Sequence, residues 1–149
     1  MNEAVLAAIR DKLGRSQRVI NALDKSDADS ILKVDVTDPR VRVMNSLEDV
    51  AGQTACLELL PSSNNRYTGR EDGFIAVACY AAKLLDAVRI RTAVKKEIND
   101  PAQSWESIDA EAGIIQDQHY VGDGGASWDQ AVQLYRADGS IGMIVQSVP

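Results

Sequence analysis

The chain contains few side chains that could do chemistry, and His119 is its single histidine. One histidine excludes a metal site built from several imidazoles and leaves one residue of this type to act as a general base. His119 lies in Gln-Asp-Gln-His-Tyr, between polar residues of a predicted strand, which favours an exposed strand histidine over a catalyst. A cysteine–histidine pair with Cys79 is the alternative. Cys79 lies in an apolar strand, however, whereas a reactive thiol needs an accessible, electropositive setting.

Two other stretches resemble ligand-binding motifs but lack the residues that complete them. The run from Gly122 to Gly125 is not followed by the Lys-Ser/Thr pair of a phosphate loop, so we interpret it as a plain turn. Asp24, Asp27 and Asp29 match the start of a calcium loop, but the required glycine and distal glutamate are missing. No nucleophile elbow, nucleotide fingerprint or zinc spacing occurs. We therefore expect no catalytic residue, no metal and no cofactor, and predict that the chain is not an enzyme.

Composition and charge are typical of a globular protein. The 149 residues, 45% hydrophobic and 26% charged, can bury a core, so we predict one domain over residues 1–149. A net charge of −6 argues against direct nucleic-acid binding, which needs a basic face. No apolar run reaches the roughly 20 residues that cross a bilayer, and the start lacks the features of a signal peptide. Cys56 and Cys79 lie in predicted strands, and we expect buried, reduced thiols in a cytoplasmic protein.

The stretch from Gly73 to Ile98 is the one around which the other elements are arranged. From Phe74 to about Ala81 the chain is apolar without polar alternation, which predicts a central strand buried on both faces. A helix follows almost without a linker, from about Ala82 to Ile98, and Pro101 prevents its continuation. Such a helix packs back over the sheet to which the strand belongs.

The flanking segments complete the predicted fold. An amphipathic helix is expected from Asn2 to Leu13, and Ser16 is placed to cap a second, short helix. The other predicted strands are Val41–Met44, Thr54–Leu60, Gly113–Val121, Ala131–Tyr135 and Ile141–Val148. The last two form a hairpin whose turn runs from Ala137 to Ser140 and contains Asp-Gly. This order predicts an α+β fold, a mostly antiparallel sheet with an N-terminal helix and a long central helix packed on one face.

A long polar connection from Pro61 to Asp72 separates two strands that we expect to pair. It exceeds the usual hairpin loop of two to five residues. One interpretation is a hairpin tip with no further role. The other is an arm that orders against a partner, because Arg66, Tyr67 and Arg70 are residue types that anchor interfaces.

The long helix departs from a purely apolar core-facing stripe, because Arg91 lies within its apolar face and Lys95 lies beside it. That face is predicted to consist of Leu84, Ala87, Val88, Val94 and Ile98. One interpretation is that both cations lay their stems on the core and keep their charges in water. The other is that Arg91 pairs with a carboxylate from the segment Asp24 to Asp38 of a neighbouring subunit, since its fork binds a carboxylate at two points.

Several segments resemble the small tail-completion proteins of long-tailed bacteriophages and prophages, the tail terminator group. The helix EAVLAAIRDKL, the strand ACLELLPSS with its polar loop, and the strand-to-helix unit FIAVACYAAKLLDAVRIRTAVKKEI are similar to the pattern of that group. The final pair AVQLYRADGSIGMIVQ, with its Leu134-Tyr135-Arg136, is similar too. The resemblance covers Thr54 to Gln146 and the first helix. It fails between Asp24 and Arg40, where the chain is longer.

This resemblance implies a homo-oligomer, a hexameric ring that caps the tail tube, stops its growth and presents a surface to the head connector. Its partners would be the tail tube protein and a head-connector or neck protein. Its location would be the host cytoplasm during assembly and then the virion tail. Two other classes stay open. One is a small acidic binding or inhibitory module of the immunity type, and the other is a small-ligand-binding protein with a pocket between sheet and helices.

Overall fold

The computed structural model describes residues 3–26, 38–43, 54–67, 70–101 and 114–146. Its helices are α1 (Glu3–Gly14), α2 (Gln17–Ser26) and α3 (Leu84–Ile98). Its strands are β1 (Val41–Val43), β2 (Ala55–Tyr67), β3 (Arg70–Ala81), β4 (Ile114–Asp129) and β5 (Leu134–Gln146). One sheet joins the strands in the order β1-β2-β3-β5-β4, and only the β1–β2 pair is parallel. The predicted α+β class with a mostly antiparallel sheet is confirmed.

The helices cover one face of this sheet and form the main core with it. Side chains of α1 such as Ile9 and Leu13 are fully buried in one cluster with Leu57, Val77 and Ile141 of three neighbouring strands. The second helix begins as expected, because the Ser16 hydroxyl accepts a hydrogen bond from the Val19 N–H at 3.3 Å. None of the described helices is long and apolar enough to cross a membrane.

The central strand is buried on both faces only over its second half. Tyr80 and Ala78 pack on the side away from the main core, in a small cluster with Cys56, Val132 and Leu134. Phe74, which we expected to lie in the core, is 42% exposed on this same side. The cluster therefore covers one end of the second face and leaves the end around Phe74 open.

The buried side of α3 is wider than the predicted apolar face. Ile90 and Ala93 are buried, whereas Leu84, which we placed on that face, is 39% exposed. The helix packs against α2 as well as against the sheet, so two surfaces rather than one bury its side chains. A projection that assumes a single buried stripe misses the second contact.

The polar segment predicted as a long loop is in fact paired strand. Backbone pairing continues from Ser63 opposite Phe74 to Tyr67 opposite Arg70, with an irregularity between Pro61 and Ser63. Proline has no N–H to donate to the hydrogen-bond ladder between the strands, which accounts for an irregularity next to Pro61. The loop prediction was wrong because polar side chains do not prevent backbone pairing.

The last two strands also differ from the prediction. The segment Gly122 to Gly125, interpreted as a turn, lies within β4, where the register with β5 shifts on both sides of Asp123. The predicted hairpin turn Ala137 to Ser140 lies inside β5 and is paired on both edges. The chain instead reverses between Asp129 and Leu134, where Gln133 has φ 58°. The described chain therefore has five strands where six were predicted.

Two carboxylates of the acidic segment Asp24 to Asp38 lie within the described residues. Asp24 belongs to α2, and Asp38 directly precedes the turn that leads into β1. Asp27, Asp29 and Met44 lie outside the described residues. That residues 1–149 form a single domain stays a prediction.

Candidate interface surfaces

Three of the five predicted interface residues lie at the far end of the β2–β3 hairpin. The backbone register places Arg66 opposite Glu71 and Tyr67 opposite Arg70. The Arg70 side chain is half exposed and donates two hydrogen bonds to the Asp72 carboxylate, at 2.7 and 2.8 Å. This end of the sheet is opposite to the one at which α3 begins, because β3 runs from Arg70 to Ala81.

The other two predicted residues, Arg91 and Lys95, lie on α3 above strand β4. The Arg91 guanidinium donates hydrogen bonds to the backbone carbonyls of Gly124 (3.2 Å) and Asp138 (3.1 Å) and lies 3.5 Å from an Asp123 carboxylate oxygen. Its side chain is only 11% exposed. The register shift around Asp123 leaves Asp138 without a partner on β4, and Arg91 supplies the missing donor. A role for Arg91 in contacts with another subunit stays a prediction.

Tyr120 and Lys95 extend this intramolecular cluster. The Tyr120 hydroxyl donates a hydrogen bond to Asp123 at 2.8 Å, and the Lys95 ammonium lies 5.8 Å from the centre of the Tyr120 ring. Burial and the hydrogen bond to Asp123 raise the pKa of Tyr120, so the phenol keeps its proton and remains a donor. The five predicted residues thus form two groups in the structure: the hairpin end, and the α3–β4 contact level with the middle of β3.

The structure does not bring together the side chains of the possible cysteine–histidine pair. Cys79 is fully buried on the helix-covered face, whereas His119 is exposed and lies against Gly142 on the other face. Cys56 is also buried, and neither cysteine forms a disulfide. Burial raises the pKa of the Cys56 thiol to about 12 and raises that of Cys79 as well. The prediction of buried, reduced thiols is confirmed.

A buried charge cluster at Arg40 is the feature that sequence reasoning missed. Its guanidinium donates to Asp38 (3.0 and 2.7 Å) and to Asp24 of α2 (2.6 Å), and its side chain is 3% exposed. The Asp38 N–H also donates to the Gly14 carbonyl at the end of α1. The cluster therefore fastens both N-terminal helices to the start of β1. The spacing Asp-Pro-Arg was the available signal, and the sequence analysis did not single it out.

Two surface hollows lie on the helical layer. A volume of about 620 Å³ at the α1–α2 connection is lined by seven residues, Asp11, Lys12, Arg15, Ser16, Gln17, Arg18 and Glu97. A groove of about 440 Å³ between α2 and α3 is lined by eight, Arg18, Asn21, Ala22, Lys25, Arg89, Thr92, Ala93 and Lys96. The first mixes both signs of charge, and burial lowers the pKa of Lys12 there. The second, called here the basic groove, has four cations and no carboxylate among the described residues of its lining. Within the described ranges no group of three or more potential metal ligands occurs.

Exposed apolar side chains are found at the end of the sheet where α3 begins. Leu84 and Leu85 form the first turn of α3, and Leu85 is 76% exposed. Trp128 is 45% exposed and packs edge-to-face on Tyr135, which pairs with Ala81 at the end of β3. Together Leu84, Leu85 and Trp128 form what we call the apolar end.

Comparison with known proteins gives matches among solved structures. No family model matches the sequence, and no curated protein sequence matches it. A chain in a solved structure of the virion of a native gene transfer agent particle is similar in fold. The TM-score is 0.50 at 14% sequence identity, and the match covers 98% of this chain and 100% of that one. The chain therefore shares its fold with a protein of that virion over almost its whole length.

Proposed function

We propose that this chain is a virion structural protein that forms a hexameric ring at the end of a tail tube, stops tube growth and joins the tail to the head connector. The observation that carries the proposal is the fold shared with a gene transfer agent virion chain over 98% of the residues. The resemblance of the sequence to the tail terminator group points to the same role. The chain acts without catalysis, in the host cytoplasm during assembly and afterwards in the virion tail.

The two ends of the sheet suit the two faces of such a ring. A ring between a tube and a connector meets a different partner above and below, so each subunit needs two distinct axial surfaces. The hairpin end presents charged and polar residues, including the ion pair of Arg70 with Asp72. The apolar end presents Leu85 and Trp128, and large apolar side chains that are exposed at one end of a sheet are candidates for a contact with another protein. We infer that one end contacts the tube and the other the connector.

The test is to express the chain together with the tail tube protein of the same gene cluster and to measure tube lengths by negative-stain electron microscopy. We expect tubes of limited length with a six-fold cap, and long uncapped tubes when the chain is omitted. Leu85→Glu should fold normally and impair capping or connector attachment, because Leu85 is largely exposed. Lys83→Glu, a neighbouring exposed substitution, is the matched control. Tube lengths that do not depend on the chain would refute the proposal.

The two alternative classes receive less support. Ligand pockets of this size are mostly apolar with a few polar groups, whereas the 620 Å³ hollow is lined mainly by charged and polar side chains. An immunity-type module would be a monomer or dimer bound to one basic protein. Mass photometry of the chain with its tube protein separates that outcome from a ring.

A further inference from the structure

The charges of this chain are strongly separated between its helices and the rest of the molecule. Residues 3–26 and 83–98, which form the helical layer, contain ten Lys or Arg and five Asp or Glu, a net charge of +5. The remaining residues contain six Lys or Arg and seventeen Asp or Glu, a net charge of −11. An acidic protein of net charge −6 thus has a basic layer on one face of its sheet.

The basic groove is where this positive charge meets a concave surface. Its floor includes Ala22 and Ala93, both nearly buried, and small side chains there leave room between α2 and α3. Arg18 is paired with Glu97 and Asp100, and Arg89 is paired with Asp86.

Among the described residues, Lys25 and Lys96 are the cations of this groove that remain available for ion pairs with a partner. Both are exposed, and neither has an ion-pair partner among the residues that the structure describes. Within the part of the chain that the structure describes, Lys25 and Lys96 can therefore accept carboxylates without first breaking an ion pair.

The edge strand β4 has negative charge only. This strand contains Asp117, Asp123 and Asp129 and no Lys or Arg. It is the outermost strand of the sheet, at the opposite edge from β1. Asp123 and Asp129 interact with Arg91 and Arg136 of the same chain.

Asp117 is the β4 carboxylate most accessible to a partner. Its side chain is 56% exposed, and its recorded contact is with His119 at 3.6 Å.

We propose that the basic groove binds the acidic edge strand β4 of a second copy of this chain, with Lys25 and Lys96 facing Asp117. The groove and β4 are different surfaces of one subunit, so the contact is head-to-tail, the type that closes a ring. The inference rests on the ring-forming part of the proposed function and names the two surfaces that meet.

A second copy explains the groove better than nucleic acid does. A polyanion such as nucleic acid would be opposed by the net charge of −6 of the whole chain. A second copy supplies both signs of charge in a fixed arrangement, so each basic layer meets an acidic edge.

The experiment is sedimentation equilibrium of the full chain at about 20 mM and about 500 mM NaCl, up to roughly 200 µM protein, since screening weakens exposed charge pairs. Wild type should associate at low salt and dissociate at high salt. Lys25→Glu combined with Lys96→Glu should weaken association by about tenfold or more, because like charges then face each other. Arg10→Glu combined with Lys83→Glu changes the net charge equally outside the groove and should have a smaller effect.

A charge swap decides the pairing. Asp117→Lys alone should also weaken association, and mixing it with the Lys25→Glu/Lys96→Glu variant should restore heterotypic binding. Circular dichroism melts verify that each variant folds.

Three results would overturn the inference: a groove variant that behaves like its charge-matched control, an unchanged Asp117→Lys variant, or a monomeric wild type. Binding of a 20-mer DNA duplex that depends on Lys25 and Lys96, without self-association, would identify nucleic acid as the occupant instead. A wild type that is monomeric yet still caps tubes overturns only this inference. Normal self-association with no effect on tube length overturns the proposed function alone.

Discussion

Replacing Arg40 by methionine tests whether the buried charge cluster holds the N-terminal helices on the sheet. Methionine keeps most of the apolar stem and removes the guanidinium, so two carboxylates lose their counter-ion. The Asp38 side chain is 5% exposed and that of Asp24 is 17% exposed, so neither carboxylate is fully hydrated in its place. We therefore expect a large loss of stability from a substitution that changes little volume.

The size of the loss follows from the burial of the pair. Removing one partner of a buried ion pair costs about 3–5 kcal/mol, and the partial exposure of Asp24 places Arg40→Met near the lower value, about 3 kcal/mol. Arg70→Met is the matched control. Arg70 binds Asp72 through two hydrogen bonds, also two residues away, but the side chains are 50% and 33% exposed. An exposed pair of this kind contributes little to stability because solvent screens it, so Arg70→Met should lose much less than Arg40→Met.

Urea denaturation of the two variants and wild type measures the difference. A loss of about 3 kcal/mol corresponds to a melting point lower by about 6–12 °C in a chain of this size. Burial lowers the pKa of Arg40, but the hydrogen bonds to Asp38 and Asp24 outweigh it and the net shift is upward. The stabilisation from Arg40 is therefore fully present below the ordinary pKa of an arginine and is lost only as the pH rises above it, so this group adds no pH dependence near neutrality. Equal losses in Arg40→Met and Arg70→Met would refute the reasoning.

Two further predictions concern the strands. Gly139→Ala should destabilise the fold by about 1–3 kcal/mol, because an added methyl group would overlap the Tyr120 ring. Gly122→Ala is the control: its added methyl group would meet nothing within 4 Å, so the free energy of unfolding should change by less than about 0.5 kcal/mol. Equal losses of stability for the two variants in urea denaturation would contradict the overlap. Cys56 and Cys79 should not react with a thiol reagent at pH 8 until the chain unfolds, because both are buried. Stability should fall as the pH rises from the ordinary pKa of 9.0 towards the raised value of about 12 for Cys56, since only the unfolded thiol ionises readily. Rapid labelling of the folded protein would show that the thiols are accessible.

The parts of the fold that sequence reasoning predicted are those in which local pattern and burial agree. The strand that ends at Ala81 and the helix that ends at Ile98 have apolar side chains where they are buried, and Pro101 indicates the end of the helix. The Ser16 cap was also predictable from the sequence, because a serine just before a helix commonly accepts a hydrogen bond from a backbone N–H of the first turn. In each case a single short segment contains the whole signal.

The parts that failed depend on a partner far away in the sequence. Asp138-Gly139 reads as a hairpin turn, yet it lies within β5, where the absence of a side chain at Gly139 lets the Tyr120 ring lie against the strand. Pro61 to Asp72 reads as a loop, yet Ser63 to Tyr67 are paired with the start of β3. Glycine and polar residues indicate a turn only when no neighbouring strand uses the same backbone.

Arg91 shows how the same limitation affects the prediction of an interface. A cation within an apolar helical face needs a partner for its charge, and the sequence alone suggested a carboxylate of a neighbouring subunit as one such partner. In the structure the guanidinium contacts the Gly124 and Asp138 carbonyls, at the irregular part of β4 that the glycine-rich run forms. The two anomalies in the sequence, an arginine in an apolar face and glycines in a strand, therefore explain each other. For Lys25 and Lys96 no such internal partner occurs among the described residues, and we therefore propose the groove between α2 and α3, rather than Arg91, as the basic surface that meets a second subunit.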